Sequence, residues 1–161
     1  MATIDNMIAS GALKLFDLPS WETRLPLWPL YIATEFEEWA NLTPELVNPA
    51  EKIGGRFLVE HLAQCLCDFR CSRRPPAGDL RRMMPNKKGI WKLHPPGLRL
   101  YGWCPKPQSF VVVTGALEIE TKKNKKLNDD KLLQVVNFIK TNKLQACVVI
   151  GDINAVFPPE N

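Results

Sequence analysis

An arginine and a tyrosine two residues apart, followed by a group of lysines, form the part of the sequence best suited to bind a charged ligand. Arg99 and Tyr101 lie in an apolar run that has the composition of a β-strand. Because side chains alternate between the two faces of a strand, both residues project from the same face. The lysines that follow are Lys122, Lys123, Lys125 and Lys126. A cationic rim beside such a strand favours a polyanionic partner.

Three short runs around these residues predict the sheet that positions them. Residues 90–94, 98–103 and 110–117 are rich in apolar and β-branched side chains, and prolines and glycines separate them. Tight turns join only antiparallel neighbours, so the runs predict an antiparallel meander. A helix is expected over residues 129–143, with acids at its start and lysines at its end. Residues 146–150 could add an edge strand.

The first half of the sequence predicts helices that pack on this sheet. One helix is expected over residues 34–42 and another over residues 50–71, where Gly54 and Gly55 weaken the beginning, so that the reliable part starts near Arg56. The second helix carries an apolar stripe at spacings of four, three and four. Its members are Leu58, Leu62, Cys65 and Phe69. The predicted class is α+β, with helices packed on a small twisted antiparallel sheet.

An aromatic and proline-rich segment precedes the helices. Prolines prevent a long regular element over residues 19–31, which also carry Trp21, Trp28 and Tyr31. Such a segment could be a partner surface, but side chains of this size more often pack over the core. Packing is the interpretation that we favour.

Length and composition indicate one globular domain over residues 1–161. Hydrophobic residues make up 45% of the chain and charged residues 24%, which is close to the globular average. No apolar run approaches the roughly 20 residues that span a bilayer, so no membrane partner is expected. The N-terminal residues lack the pattern of a secretory signal. Five cysteines, an odd number without framework spacing, indicate reduced thiols and a cytoplasmic location.

A histidine and three cysteines within one predicted helix raise the question of a metal site. His61 and Cys65 share one face of that helix, and Cys67 and Cys71 share another. The two pairs point to nearly opposite sides, because Cys65 and Cys67 differ by roughly 200° around the axis. One tetrahedral zinc ion cannot bind all four side chains unless the helix breaks between the two pairs. The sequence therefore predicts neither a metal nor another cofactor, and the thiols are expected to fill space.

Charge is distributed unevenly along the chain. Residues 1–70 carry five basic and ten acidic side chains, for a net charge of −5. Residues 71–161 carry sixteen basic and seven acidic side chains, for a net charge of +9, and the two halves sum to +4. Basic charge concentrated in the half that contains the predicted sheet favours a polyanionic partner, although a lysine-rich solvated surface would give the same count.

Two short motifs and the strand after them resemble the RelE/HigB superfamily of toxin-like proteins. Residues 89–94 (GIWKLH) are similar to the family strand G-(L/I)-(W/Y)-E-L-R, and residues 97–101 (GLRLY) are similar to the following g-x-R-(v/l)-x-Y. Residues 111–115 match the start of the third family strand. The resemblance covers residues 50–143, and residues 1–49 form an extension that is atypical of the family.

The resemblance implies a metal-independent, ribosome-associated mRNA endoribonuclease that a protein antitoxin neutralises. Arg99, His94 and Tyr101 would be the catalytic residues: the arginine would clamp the phosphate, the histidine would act as general acid or base, and the tyrosine would stack on a base or donate to phosphate. The residues that would bind RNA phosphates are Lys92, Lys122, Lys123, Lys125 and Lys126. Each catalytic residue also has a structural alternative: pairing with a glutamate for Arg99, a structural role at the strand end for His94, and packing on the sheet, which is favoured, for Tyr101.

Two departures from the family pattern support an alternative. His94 stands where the family has an arginine, and the lysines are separated from the third strand by a segment that contains Glu118 and Glu120. Those carboxylates could serve as general bases, but they also repel phosphate. The alternative is a catalytically inactive module that reuses the fold to bind another protein through its acidic N-terminal half. The oligomeric state stays open.

Overall fold

The computed structural model describes residues 2–17, 27–71, 80–82 and 89–157, with the backbone alone for residues 80–82. The helices are α1 (Ile4–Ala9), α2 (Thr34–Leu42), α3 (Pro44–Val47), α4 (Leu58–Arg70), α5 (Glu118–Lys123), α6 (Lys126–Thr141) and α7 (Ile153–Val156). The strands are β1 (Leu13–Leu15), β2 (Leu30–Ala33), β3 (Lys52–Ile53), β4 (Arg56–Phe57), β5 (Leu80–Arg82), β6 (Ile90–Leu93), β7 (Leu98–Trp103) and β8 (Phe110–Leu117). Helices packed on one main sheet confirm the predicted α+β class.

The predicted meander forms the centre of the main sheet. Strands β6, β7 and β8 pair as antiparallel neighbours, and the turn between β6 and β7 contains Gly97 at a φ of +76°, a conformation that glycine adopts without strain. All eight residues of β8 are buried, because helices cover both faces of the sheet. A β-bulge shifts the register between β7 and β8 at Tyr101 and Gly102.

The sheet is mixed rather than wholly antiparallel, which corrects the prediction. Six strands follow the order β1-β2-β8-β7-β6-β5, and β2 runs parallel to β8 with Leu30 opposite Phe110. The turn argument applies only to strands that are adjacent in sequence, whereas α2, α3 and α4 all lie between β2 and β8. The predicted edge strand is also wrong: the described residues 146–150 form no strand, and β1 and β5 lie at the edges.

One face of the sheet packs against α2, α4 and α7. The predicted stripe on α4 is directed inward, with Leu62 and Phe69 buried. Trp28 stacks on Phe157 at 5.4 Å between ring centroids and meets Phe69 edge-on at 5.5 Å. The packing interpretation of the aromatic segment therefore holds for Trp28, whereas Trp21 lies outside the described residues.

Helix α4 begins two residues after the point at which its reliable part was predicted, and the weaker first part of that prediction is not helical. Residues 52–57 form the β3–β4 hairpin, and α4 begins only at Leu58. Gly54 and Gly55 both have positive φ and form the hairpin turn. The methyl groups of Ile53 and Leu58 fill the space in which a side chain at Gly97 would lie, so the hairpin packs against the β6–β7 turn.

The opposite face of the sheet packs against α1 and α6. Tyr101 and Trp103 of β7 share a buried cluster with Val135 and Phe138 of α6. The Trp103 indole N–H donates to the carbonyl of Cys147 at 2.7 Å. Helix α6 therefore lies directly over the face of β7 that also carries Arg99.

Candidate functional site

The structure brings three of the predicted site residues onto one face of the sheet. Arg99 and Tyr101 are two residues apart on β7, and Lys92 of β6 lies opposite Tyr101 in the register. His94 follows the last residue of β6, and the pairing of Leu93 with Leu100 places it one step further, beside Arg99. Lys92, His94 and Arg99 are all half-buried. The two adjacent strands thus place the charged Lys92 and Arg99 and the imidazole of His94 at one end of the sheet.

Arg99 is held by two contacts at the junction of β8 and α5. Its Nη2 lies 3.0 Å from Oε1 of Glu118, and its Nη1 donates to the carbonyl of Leu98 at 2.6 Å. The Arg99 side chain is only 14% exposed, and the Glu118 side chain is 27% exposed. Lys122, one helical turn further along α5, places its Nζ 2.7 Å from the same Glu118 oxygen. The three side chains form a chain of two ion pairs centred on one carboxylate.

The surroundings of Glu118 determine its protonation. The hydrogen bond from Lys122 lowers the pKa of Glu118 most, the charge of Arg99 lowers it further, and partial burial opposes both. The carboxylate is therefore ionised at neutral pH and a weaker base than an ordinary glutamate. Its negative charge offsets part of the cationic character that Arg99 and Lys122 give to the site.

Tyr101 occupies a different position from the one expected of a nucleic-acid contact. Its side chain is completely buried under α6, and its hydroxyl donates to Oδ1 of Asn128 at 2.6 Å. Burial raises the pKa of Tyr101 to about 12, with the charge of Arg99 acting in the opposite direction. A base could stack on this ring only after α6 had moved away from the sheet.

Two polar residues near Tyr101 were not selected by the sequence analysis. Lys131 of α6 donates from Nζ to Oγ1 of Thr114 at 3.2 Å, and Thr114 lies opposite Tyr101 in the β7–β8 register. Burial lowers the pKa of Lys131, while the charge of Glu120 raises it. The signal that could have found Lys131 is its spacing, because Asn128, Lys131 and Val135 follow the three-four pattern of the inward face of a helix.

Four of the five predicted RNA-binding lysines lie along the junction of α5 and α6 and are exposed: Lys122, Lys123, Lys125 and Lys126. Lys122 is 72% exposed at its side chain although it pairs with Glu118, whereas the fifth lysine, Lys92, is half-buried on β6. The backbone N–H of Lys126 donates to Oδ1 of Asn124 at 3.1 Å, which fixes the bend between the two helices. The junction therefore presents Lys123, Lys125 and Lys126 to solvent near the Arg99 end of the sheet.

Comparison with known proteins gives no relative from which a role could be transferred. No protein-family model, curated protein or solved structure matches the chain. None of the described helices combines the length and the apolar character that crossing a bilayer requires. The fold and the site define an α+β protein with a partly neutralised cationic site at the β8–α5 junction, and its function is inferred from that geometry.

Proposed function

We propose that the chain is a toxin-like protein of the RelE/HigB type that binds RNA through the Arg99 end of its sheet. The observation that carries this proposal is the ion-pair chain that links Arg99 through Glu118 to Lys122. It joins a guanidinium on the sheet to the exposed lysines of the α5–α6 junction. A single RNA strand could therefore contact both at neighbouring phosphates.

The chemistry that this site would support is metal-independent cleavage of RNA. The reaction requires removal of the proton from a 2′-hydroxyl, stabilisation of charge on the phosphorane, and protonation of the departing 5′-oxygen. Arg99 would bind the non-bridging oxygens through its planar guanidinium. His94, beside Arg99, is the group that could exchange protons near neutral pH. Tyr101 would support Arg99 from beneath, without contact to RNA.

The cellular target and the regulator follow from the same proposal. A protein of this type would act on mRNA at the ribosome, and an antitoxin protein would neutralise it. The uneven charge is consistent with two different surfaces, since residues 71–161, which contribute strands β5–β8, carry +9 and residues 1–70 carry −5. The positive half would contact RNA, and the negative half would stay away from it.

A second candidate function is favoured by the neutralisation of the site. The guanidinium of Arg99 is already paired with the carboxylate of Glu118, and the side chain of Tyr101 is completely buried. A catalytically inactive protein that binds another protein would retain such a site for stability alone. Its contact surface would lie on α2 and α3, where Leu42 is 82% exposed and Val47 is 53% exposed.

Inducible expression in a bacterial host tests the first function against the second. The wild type is expected to arrest growth and to fragment a reporter mRNA, and Arg99→Ala is expected to abolish both effects because the phosphate contact is lost. Lys106→Ala is the matched control, since it also removes one positive charge but lies in the exposed loop between β7 and β8. Thermal melting of each purified variant establishes that it is folded.

Unaffected growth and intact message with a folded, abundant wild type would overturn the toxin function in that host. Equal loss of activity in Arg99→Ala and Lys106→Ala would remove Arg99 from the proposed site. The second candidate function instead predicts a co-purifying protein whose capture is lost in Leu42→Asp and retained in Arg99→Ala.

A further inference from the structure

We infer that Glu118 is a built-in competitor of phosphate, which occupies the anion position between Arg99 and Lys122 until RNA displaces it. This inference rests on the proposed function, since it concerns the regulation of the same site. It assigns Glu118 a role opposite to that of a general base: the carboxylate lowers the affinity of the free protein for single anions.

The geometry around the carboxylate is that of an anion-binding position. Nη2 of Arg99 and Nζ of Lys122 converge on the same oxygen, Oε1 of Glu118, at 3.0 and 2.7 Å. A phosphate oxygen accepts charge-assisted hydrogen bonds from these two kinds of donor at the same distances. A phosphodiester also carries one negative charge, so it can replace the carboxylate without changing the net charge of the position.

The exchange requires only a side-chain rotation. The backbone N–H of Glu118 donates to the carbonyl of Gly97 at 2.9 Å, which anchors the start of α5 to the β6–β7 turn. The bond from Nη1 of Arg99 to the carbonyl of Leu98 keeps the guanidinium in place when the carboxylate leaves. Because the Glu118 side chain is 27% exposed, it has solvent into which it can rotate.

The competition selects the class of ligand. An isolated phosphate gains only the two contacts that Glu118 already makes, so it has little advantage over a carboxylate tethered in place. A single-stranded RNA adds contacts from neighbouring phosphates to the exposed Lys123, Lys125 and Lys126, and these contacts favour displacement. The free protein therefore discriminates against small anions and in favour of polyphosphodiester chains.

Binding of a short, labelled single-stranded RNA to a set of variants tests this inference. Glu118→Gln is expected to bind the RNA about tenfold more tightly than the wild type, because the competing charge is removed. Glu120→Gln is the matched control on the same helix, and only about a twofold gain is expected from the general change in charge. In Arg99→Gln/Glu118→Gln, compared with Arg99→Gln alone, the tenfold gain in RNA affinity is expected to disappear, since the Arg99 guanidinium that Glu118 would have released is absent.

Equal gains in Glu118→Gln and Glu120→Gln, or a gain that persists without Arg99, would overturn the competition. Glu118→Ala is measured in parallel because a glutamine amide still accepts hydrogen bonds, and all variants are checked by thermal melting.

Thermal stabilisation by inorganic pyrophosphate separates this inference from the proposed function. Pyrophosphate is expected to stabilise Glu118→Gln but not the wild type or the Arg99→Gln/Glu118→Gln double variant. If no variant binds RNA while pyrophosphate behaves in this way, the anion position stands and the RNA function fails. If pyrophosphate stabilises none of the variants, the inference fails, and the growth experiment alone decides the proposed function.

Discussion

At the scale of single residues, the site is defined by how Arg99 uses its donors. One terminal nitrogen donates to a backbone carbonyl, and the other is paired with Glu118. An arginine at 14% side-chain exposure needs such partners, because an unpaired charge there would carry a large desolvation cost. The same contacts that stabilise the buried guanidinium also orient its outer edge toward the lysines of α5. Stability and ligand binding therefore compete for one side chain.

Tyr101→Phe is expected to lower the free energy of unfolding at neutral pH by about 1 kcal/mol, because Oδ1 of Asn128 loses its donor. The difference from the wild type should shrink at alkaline pH. Burial raises the pKa of Tyr101 from 10.0 to about 12, so the folded protein keeps a proton that the unfolded chain releases. The stabilisation from this raised pKa is complete below pH 10 and is lost as the pH rises through about 12.

Denaturant unfolding of the wild type and Tyr101→Phe at several pH values between neutrality and pH 11 measures this convergence. The two proteins share all other titrating groups, so the lysines cancel in the difference. Curves that stay parallel up to pH 11 would show that the hydroxyl ionises as easily in the folded protein as in the unfolded chain.

At the scale of elements, the position of the site depends on how β8 is held between two helices. Strand β8 continues directly into α5, so the location of its last residues sets the location of Glu118. Gly115 lies near this end, on the face that packs against α2. A Cβ atom at Gly115 would overlap the ring of Trp39, which leaves no space for a side chain.

Gly115→Ala is expected to destabilise the protein by about 1–3 kcal/mol, since the Trp39 ring must shift out of its packing position. Combination with Trp39→Leu should cost less than the sum of the two single substitutions, because the smaller side chain removes the overlap. Thermal or denaturant unfolding of the four proteins in the cycle measures the coupling. Additive costs would show that Trp39 does not limit the space at Gly115.

The elements that the sequence predicted well are those defined by short-range patterns. The three central strands and helix α2 were predicted almost to the residue, because turn residues and periodicity specify them locally. The parallel pairing of β2 with β8 was not predictable in this way, since it joins residues about eighty positions apart. Packing of Tyr101 on the sheet was the favoured alternative to a nucleic-acid contact, but its burial beneath the first turn of α6 was not specified, because the start of that helix was placed at residue 129 instead of Lys126.

The residues of the site divide in the same way, into contacts that local sequence specifies and contacts that depend on distant parts of the chain. That Arg99 and Tyr101 share a face follows from the alternation of a strand. Glu118 bridges Arg99 and Lys122 because the chain bends from β8 into helix α5 at this residue. The sequence predicted only that the β-branched run would be followed by a polar segment there. The spacing of four residues identifies Glu118 and Lys122 as neighbours on a helix. The third residue of the ion-pair chain, Arg99, comes from β7 and is not indicated by that spacing.

At the scale of the whole molecule, the segregation of charge sets the direction from which a polyanion approaches. Residues 71–161, which contribute strands β5–β8, have a net charge of +9, and the exposed lysines of the α5–α6 junction lie at the Arg99 end of the sheet. At the opposite end of α6, Lys140 lies in the last turn and Lys143 lies two residues beyond the helix, and both are exposed. The two ends of one helix therefore offer a comparison at equal charge.

Lys125→Gln/Lys126→Gln is expected to reduce the salt dependence of RNA binding, whereas Lys140→Gln/Lys143→Gln is expected to leave it unchanged. Each phosphate contact to a single strand contributes about 0.7 to the slope of log affinity against log salt, so loss of two contacts should lower the slope by about 1.4. Fluorescence anisotropy of a labelled RNA over a salt series measures both slopes. Equal reductions in the two variants would mean that RNA responds to the total charge of the protein, because a defined interface at the α5–α6 junction cannot be weakened from the far end of α6.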